Sequence, residues 1–217
     1  MAKPKRGSKV RLTRERLVAT ALRIADAEGL EALSMRRLGS ELNVDPMAAY
    51  RHLPNKKALL TGIVEQVLAD ADVETSGADP WQEQFLQIAR AYYVAMASHS
   101  PAISRLAATT PYSSVESLRI VEHGAAVLVE AGVPKEESAV AIQAVGQLAT
   151  GAVLLEAFWR EHAEAGGEVH LYPPSLPDRD LPVLSAVADS GGFRGPQDVF
   201  EFGLLAIVEH LEALIAV

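Results

Sequence analysis

Apolar residues recur every three or four positions along most of this chain, which is the spacing of helices that bury one face. Alanine and leucine are abundant and aromatic residues are few, a composition that favours helices over sheets. The pattern predicts helices over residues 13–28, 35–42, 46–52, 56–73, 81–98, 102–108, 114–131, 135–163 and 197–216. We therefore expect an all-α protein.

Two of the short predicted helices follow each other so closely that only a tight turn can join them. Ser34 is a good N-cap for the first helix, and Asn43 at its end tolerates the left-handed conformation that a tight turn requires. Asp45 and Pro46 begin the second helix, because proline at the first helical position loses no hydrogen bond. Two short helices joined in this way are typical of a helix-turn-helix, whose second helix enters the major groove of DNA.

Charge divides the chain in the way that a DNA-binding N-terminal part requires. Residues 1–57 carry 13 Lys and Arg against 6 Asp and Glu, whereas residues 58–217 carry 7 against 22. Because DNA phosphates attract basic surface and repel acidic surface, only the N-terminal part is expected to meet DNA. The basic tail by itself would be equally typical of a solubilising start.

The residues after the predicted turn carry a specific pattern, Tyr-x-His-x-x-Asn-Lys, made by Tyr50, His52, Asn55 and Lys56. With the surrounding residues 12–68, this stretch resembles the DNA-binding domain of the TetR family of repressors. Outside that pattern, a lone histidine such as His52 is more often structural than functional. By the resemblance, the residues that face DNA are Arg36, Arg37, Pro46, Met47, Tyr50, Arg51, His52 and Lys56.

The resemblance implies base contacts by Pro46, Met47 and Arg51, and phosphate contacts by Tyr50, His52 and Lys56. We expect the arginine of the first group to read guanine, because its planar fork matches the two acceptors that guanine shows in the major groove. The methionine could meet a thymine methyl group. For the tyrosine, partial burial under the first helix is an equal alternative. For the two arginines before the turn, the alternative is an ordinary solvated helix face.

The C-terminal helix is apolar over more than one stripe, so the core of a single chain cannot cover it. The long helix before it offers the small residues Gly146 and Thr150, which permit close helix approach. The same part of the chain resembles the C-terminal domain of the tetracycline-repressor branch of the family, and that resemblance makes these two helices a two-fold dimer interface. It rests on Trp81, Gln82, residues 109–111 and 144–146, and the last helix.

The resemblance also implies a small-molecule pocket with apolar walls and a few polar groups. Plain core packing is the alternative for its apolar members. The candidates are Tyr93, Met96, Leu106, Thr109, Thr110, Tyr112, Glu122, Gln147 and Phe158. Leu106 and Leu155 stand where the tetracycline-repressor branch holds a drug–magnesium complex with a His and a Glu. We therefore expect neither a metal nor another cofactor.

Together these features predict a basic tail over residues 1–11, a helix-turn-helix DNA-binding domain over 12–57 and a helical ligand-binding and dimerisation domain over 58–217. The predicted function is a ligand-responsive repressor that binds a palindromic operator as a homodimer and is released by an effector. An activator or nucleoid-type DNA binder with the same N-terminal motif is the alternative. An enzyme is not expected, because the histidines lack metal-ligand spacing and there is no glycine-rich phosphate loop.

The location expected for such a protein is the cytoplasm. The chain has no cysteine, and its basic start does not lead into the apolar stretch of a signal peptide. The uncharged residues 138–155 include several polar and small side chains, which favours a buried helix over a membrane span. Residues 166–196 are rich in proline and glycine, and a connection of that length indicates a mobile or functional segment with a helical turn near 183–188.

Overall fold

The computed structural model of the chain describes residues 11–71, 75–111, 113–164, 181–191 and 194–215. Within these residues the chain forms ten α-helices and two short 3-10 helices, so the predicted all-α class is confirmed. The helices are α1 (Arg14–Glu28), α2 (Met35–Leu42), α3 (Pro46–Tyr50), α4 (Lys56–Ala69), α5 (Trp81–Ala97), α6 (Pro101–Thr109), α7 (Arg119–Glu130), α8 (Lys135–Glu164), α9 (Pro182–Asp189) and α10 (Pro196–Ile215).

Capping side chains determine where the short N-terminal helices begin. The side chains of Ser34, Asp45 and Asn55 each accept a hydrogen bond from a backbone amide in the first turn of α2, α3 and α4. These bonds satisfy amides that have no partner inside the helix. Asn43 ends α2 in the left-handed conformation, with φ 52° and ψ 46°. The predicted sharp turn between α2 and α3 is therefore present.

Some helix boundaries differ from the prediction. Instead of one helix over residues 114–131, the structure has a 3-10 helix at Glu116–Leu118, and α7 begins only at Arg119. The amides of Ser114 and Ser117 each donate to the hydroxyl of the other serine, at 3.1 and 3.3 Å. Such local bonds compete with helical ones and delay the helix. Two other helices are shorter than predicted: α3 ends at Tyr50 and α4 at Ala69, two and four residues before their predicted ends.

Two groups of helices pack into one continuous core. Residues 11–57, here called the head, hold α1 to α3, and the remaining described residues form the body. The side chains that join α1 to α4 are fully buried, among them Leu17, Leu38, Leu53, Leu59 and Ile63. Helix α4 contacts α1 as well as α5 and α6. Helix α4 therefore connects the head to the body.

Helix α8 is the central element of the body and packs against α5, α6, α7 and α10. Its length and a mean hydropathy of 1.6 over 18 residues would also suit a membrane span, but the core helix of a soluble protein passes the same test. The helical turn predicted near residues 183–188 belongs to α9. Of the predicted connection over residues 166–196, residues 166–180 and 192–193 lie outside the described residues, as does Tyr112.

Candidate nucleic-acid interface and ligand domain

The turn between α2 and α3 is closed by backbone contacts that require a glycine. A β-carbon on Gly39 would lie 2.9 Å from the carbonyl oxygen of Val44 and 3.2 Å from Cγ of Pro46. Real β-carbons essentially never approach backbone oxygens this closely, so α2 and α3 can meet in this way only at a glycine. Gly39 was not among the residues predicted to matter for DNA binding. Its position four residues before the left-handed Asn43 was the available signal.

Helix α3 presents its predicted reading side chains to solvent. Ala49 is fully buried and fixes the helix on the core, whereas Met47 is 65% and Tyr50 44% exposed. Arg51 follows the helix as its C-cap residue and is also exposed. An apolar side chain, an aromatic ring and a guanidinium thus share the outer surface of one short helix. Burial of Tyr50 under α1, the alternative expectation, is at most partial.

Two basic side chains near α3 have no ion-pair partner in the part of the chain that the structure describes. Arg36 on α2 and Lys56 at the start of α4 are exposed and make no ion pair with a described residue. His52 is exposed too. It lies close enough to the start of α1 to contribute to the lowered pKa of Glu15, which is due first to hydrogen bonds from a backbone amide and Thr13. Arg36 and Lys56 therefore remain available to phosphates.

Arg37 differs from its neighbours because its guanidinium is already occupied. Its Nη2 lies 2.7 Å from Glu28 and its Nη1 lies 2.6 Å from Glu41. These hydrogen bonds, first to Glu28 and then to Glu41, raise the arginine pKa, and the bond from Arg37 is the largest cause of the lowered pKa of Glu41. Both ends of the Arg37 guanidinium are thus paired within residues 11–57.

Tyr93, one of the predicted ligand residues, makes specific contacts with two other helices. It is buried on α5, its ring stacks on Phe200 of α10 with centroids 4.8 Å apart, and its hydroxyl donates to Oε2 of Glu156 on α8 at 2.5 Å. Burial first, and then this hydrogen bond, raise the Tyr93 pKa. The hydroxyl therefore stays protonated and acts as a donor. Met96, one turn further along α5, is fully buried in the core.

The other described candidates lie in separate surroundings. Thr109 and Thr110 are exposed at the end of α6 and return their hydroxyls to helix carbonyls at 2.7 Å. Glu122 is exposed on α7, and Phe158 on α8 packs its ring 4.0 Å from that of His162. Gln147 lines a groove between α8 and α10. These described candidates thus have different local neighbours, and Leu106 is partly buried on α6.

A cavity that the sequence analysis missed lies between α5, α7 and α8. Its volume is about 40 Å³, room for water molecules but not for a drug-sized ligand in this conformation. The glycines Gly124 and Gly146, on two of the surrounding helices, were the sequence signal that could have located it. Its walls are almost wholly apolar and are formed by Phe85, Ile88, Ala89, Tyr92, Ile120, Val121, Gly124, Ile142, Val145 and Gly146.

Part of the exposed surface of α10 is apolar. Phe202 is 78% exposed on the side of α10 opposite the buried Phe200 and Leu204, and Val199 and Leu205 beside it are about half exposed. Such a surface is costly to leave in water. Among the described residues, no group of three or more His, Cys, Asp or Glu side chains is placed to hold a metal ion.

Both parts of the chain match models of one protein family. The model of the bacterial regulatory proteins of the tetR family matches residues 17–63, and that of the tetracyclin repressor-like C-terminal domain matches residues 75–215. The chain belongs to the TetR family of bacterial regulatory proteins. The predicted resemblance and the helix-turn-helix are thereby confirmed.

Individual relatives extend the similarity over nearly the whole chain. The HTH-type transcriptional repressor DrrR1 of Streptomyces coeruleorubidus is 27% identical over 223 residues, covering 99% of this chain and 82% of DrrR1. The Streptomyces coelicolor TetR family protein ActR in complex with actinorhodin superimposes with a TM-score of 0.77 at 30% identity, covering 94% of this chain and 97% of ActR. Mycobacterium smegmatis BioQ with its double-stranded DNA operator has a TM-score of 0.64 at 27% identity, covering 94% and 99%.

Proposed function

We propose that this protein is a transcriptional repressor that binds a palindromic operator as a homodimer and leaves it when a small-molecule effector binds. The observation that carries the proposal is α3, a short helix anchored by buried Ala49 that exposes Met47, Tyr50 and Arg51. Side chains of these types suit base edges and phosphates rather than a core. The similarity to DrrR1, a repressor, and to the operator complex of BioQ supports the same function.

Within this proposal the eight predicted DNA residues have unequal roles. Pro46, Met47 and Arg51 face bases, and Tyr50, His52 and Lys56 face phosphates. Arg36 has no partner in the described chain and joins them. Arg37 instead holds α2 against α1, because Glu28 and Glu41 already occupy it. Residues 12–57 then act as the DNA-binding domain, residues 58–217 as the effector-binding and dimerisation domain, and the basic tail adds charge.

Dimerisation through α8 and α10 would cover the apolar surface around Phe202. Two-fold symmetry brings the same surface of both chains together. It places the two α3 helices about 34 to 36 Å apart, so that they enter successive major grooves. A cytoplasmic, soluble dimer follows, with α8 as an interior helix of the assembly. No catalytic step is part of this function, in keeping with relatives that are named as transcriptional regulators.

The effector enters the body without a metal ion. Leu106 and Leu155 offer no ligand atoms where the tetracycline-repressor branch has a His and a Glu, and the cavity between α5, α7 and α8 has apolar walls. A largely apolar molecule that enlarges this cavity would shift the helices around it. Because α4 contacts α5 and α6 as well as α1, that shift reaches the head and changes the spacing of the α3 helices.

The test is selection of DNA from a random duplex pool by the purified protein at near-physiological salt, with sequencing of the bound fraction. We expect a palindrome with half-sites about one helical turn apart. Transcription in vitro from a promoter that carries the selected site should then fall when the protein is added. Recovery of no motif would overturn sequence-specific binding, and increased transcription would replace repression by activation.

A further inference from the structure

A line of polar contacts runs from the interior of the body towards the head. At its inner end, the Tyr93 hydroxyl on α5 holds Oε2 of Glu156 on α8 at 2.5 Å. One helical turn further along α8, Arg160 donates from Nη1 to the carbonyl oxygen of His99 at 2.6 Å and from Nη2 to Oγ of Ser104 at 3.0 Å. Arg160 therefore fixes the turn that joins α5 to α6.

The turn between α5 and α6 also binds α1, the first helix of the head. Nδ1 of His99 lies 2.8 Å from Oδ2 of Asp26 on α1, and the amide of Ser100 donates to Oδ1 of the same carboxylate at 2.8 Å. The His99 side chain is 17% and the Asp26 side chain 31% exposed, so water competes only in part for these bonds. Both carboxylate oxygens of Asp26 are thus used to attach α1 to the turn.

Arg160 is not fully satisfied in this arrangement. Its Nε is buried and has no hydrogen-bond partner among the described residues. A buried donor without an acceptor costs free energy, so any second placement that satisfies it competes with the first. Glu156 lies four residues before Arg160 on the same helix, the spacing and order at which a glutamate and a following cation attract each other best. In this structure the Glu156 carboxylate instead accepts a hydrogen bond from the Tyr93 hydroxyl.

We propose that Arg160 is a two-position coupler between the effector site and the head. With Tyr93 bound to Glu156, Arg160 holds the α5–α6 turn and, through His99 and Asp26, α1. When an effector enlarges the cavity between α5 and α8 and parts the Tyr93 hydroxyl from Glu156, Glu156 turns to Arg160, and the turn and α1 are released. The inference rests on the proposed effector-controlled DNA binding and names the contacts that carry a change in the cavity to the head.

Substitutions can imitate the effector, so the test needs no ligand. Tyr93→Phe frees Glu156 with little change in shape, and we expect it to weaken binding to the selected palindrome at least fivefold by fluorescence anisotropy. Glu156→Gln removes the charge that would recruit Arg160, so the Tyr93→Phe/Glu156→Gln double variant should return to within twofold of the parent. Glu161→Gln is the matched control, because Glu161 pairs with Arg105 across α6 and α8 without reaching α1, and it should leave affinity unchanged.

A second readout does not depend on DNA. Amide hydrogen exchange in residues 22–28 of α1 should be faster in Tyr93→Phe and normal again in the double variant. Arg160→Met should release α1 whether or not residue 156 is Glu, which separates coupling from a local defect around Tyr93. Failure of Glu156→Gln to reverse the Tyr93→Phe effect on exchange would overturn the coupler. If the parent selects no DNA sequence, the proposed function fails, and hydrogen exchange still decides the coupler.

Discussion

The amide of Val44 donates a hydrogen bond to the carbonyl oxygen of Gly39 at 2.8 Å, across the turn that joins α2 to α3. The carbonyl oxygen of Val44 in turn lies only 2.9 Å from the position that a β-carbon on Gly39 would take. The two residues therefore set the angle between the helix that supports the DNA interface and the helix that reads it. The geometry of the turn depends on the absence of one methyl group.

Gly39→Ala should destabilise the protein by up to about 2 kcal/mol, because crowding of about 1–3 kcal/mol outweighs the roughly 1 kcal/mol of helix propensity that alanine gains. It should also reduce DNA affinity more than this loss of stability explains, because α3 must shift. Thermal unfolding and anisotropy titration measure the two effects. Gly77→Ala is the control, since nothing lies within 4 Å of its β-carbon position and its unfolding midpoint should not move. An unchanged midpoint for Gly39→Ala would contradict the close contact.

Arg51→Ala should relax base preference rather than abolish binding. Loss of a bidentate contact to guanine removes about 1–3 kcal/mol of discrimination at one position of each half-site. Competition binding with single base-pair variants of the selected palindrome measures this change. Arg37→Ala should leave base preference intact and lower stability instead, because Arg37 binds Glu28 and Glu41. If Arg37→Ala and not Arg51→Ala changed the preferred sequence, the assignment of roles would be wrong.

Lys56→Ala should weaken binding to all DNA sequences by a similar factor. Lys56 is exposed at the start of α4. The slope of log affinity against log salt concentration is negative, and each phosphate contact that is lost makes it less steep by about 0.9. Titrations of a specific and a random duplex at several salt concentrations measure that slope. The exposed Lys135 at the start of α8 lies in the body, so Lys135→Ala should keep the parental slope. Equal slopes for both variants would remove Lys56 from the interface.

Local sequence signals predicted the head closely because its structure is determined by neighbours in the chain. Ser34, Asp45 and Asn55 cap the helices that they precede, and Asn43 takes the left-handed turn conformation. These are interactions over two to four residues, which a sequence pattern contains directly. The same reasoning placed α8 within one residue of its observed end.

The contacts inside the ligand domain could not be predicted from the sequence, because they join residues that are far apart in the chain. Tyr93 and Glu156 are separated by 63 positions, and helical periodicity alone cannot say which residue of α8 faces α5. Thr109, Glu122 and Phe158 fit the composition of a pocket, yet they point to different surroundings. Arg37 illustrates the same limit, because its partner Glu28 comes from α1 rather than from its own helix.

A dimer interface on α10 is testable through its most exposed aromatic residue. Phe202 is 78% exposed, and aromatic side chains near the centre of an interface typically contribute 2 kcal/mol or more to association. Phe202→Glu would place a charge in that surface on both chains at once. We expect the dimer dissociation constant to rise by about 30-fold or more while each chain remains folded, because the core side of α10 is untouched.

Sedimentation at a series of concentrations measures this dissociation, and circular dichroism confirms the helical content. Val115→Glu is the matched control, because Val115 is 76% exposed in the connection between α6 and α7, away from α8 and α10. It should leave the dimer intact. Operator affinity should fall with dissociation of Phe202→Glu, because one α3 helix reads only one half-site. A Phe202→Glu protein that stays dimeric would place the two-fold interface on another surface, and the apolar face of α10 would need a different partner.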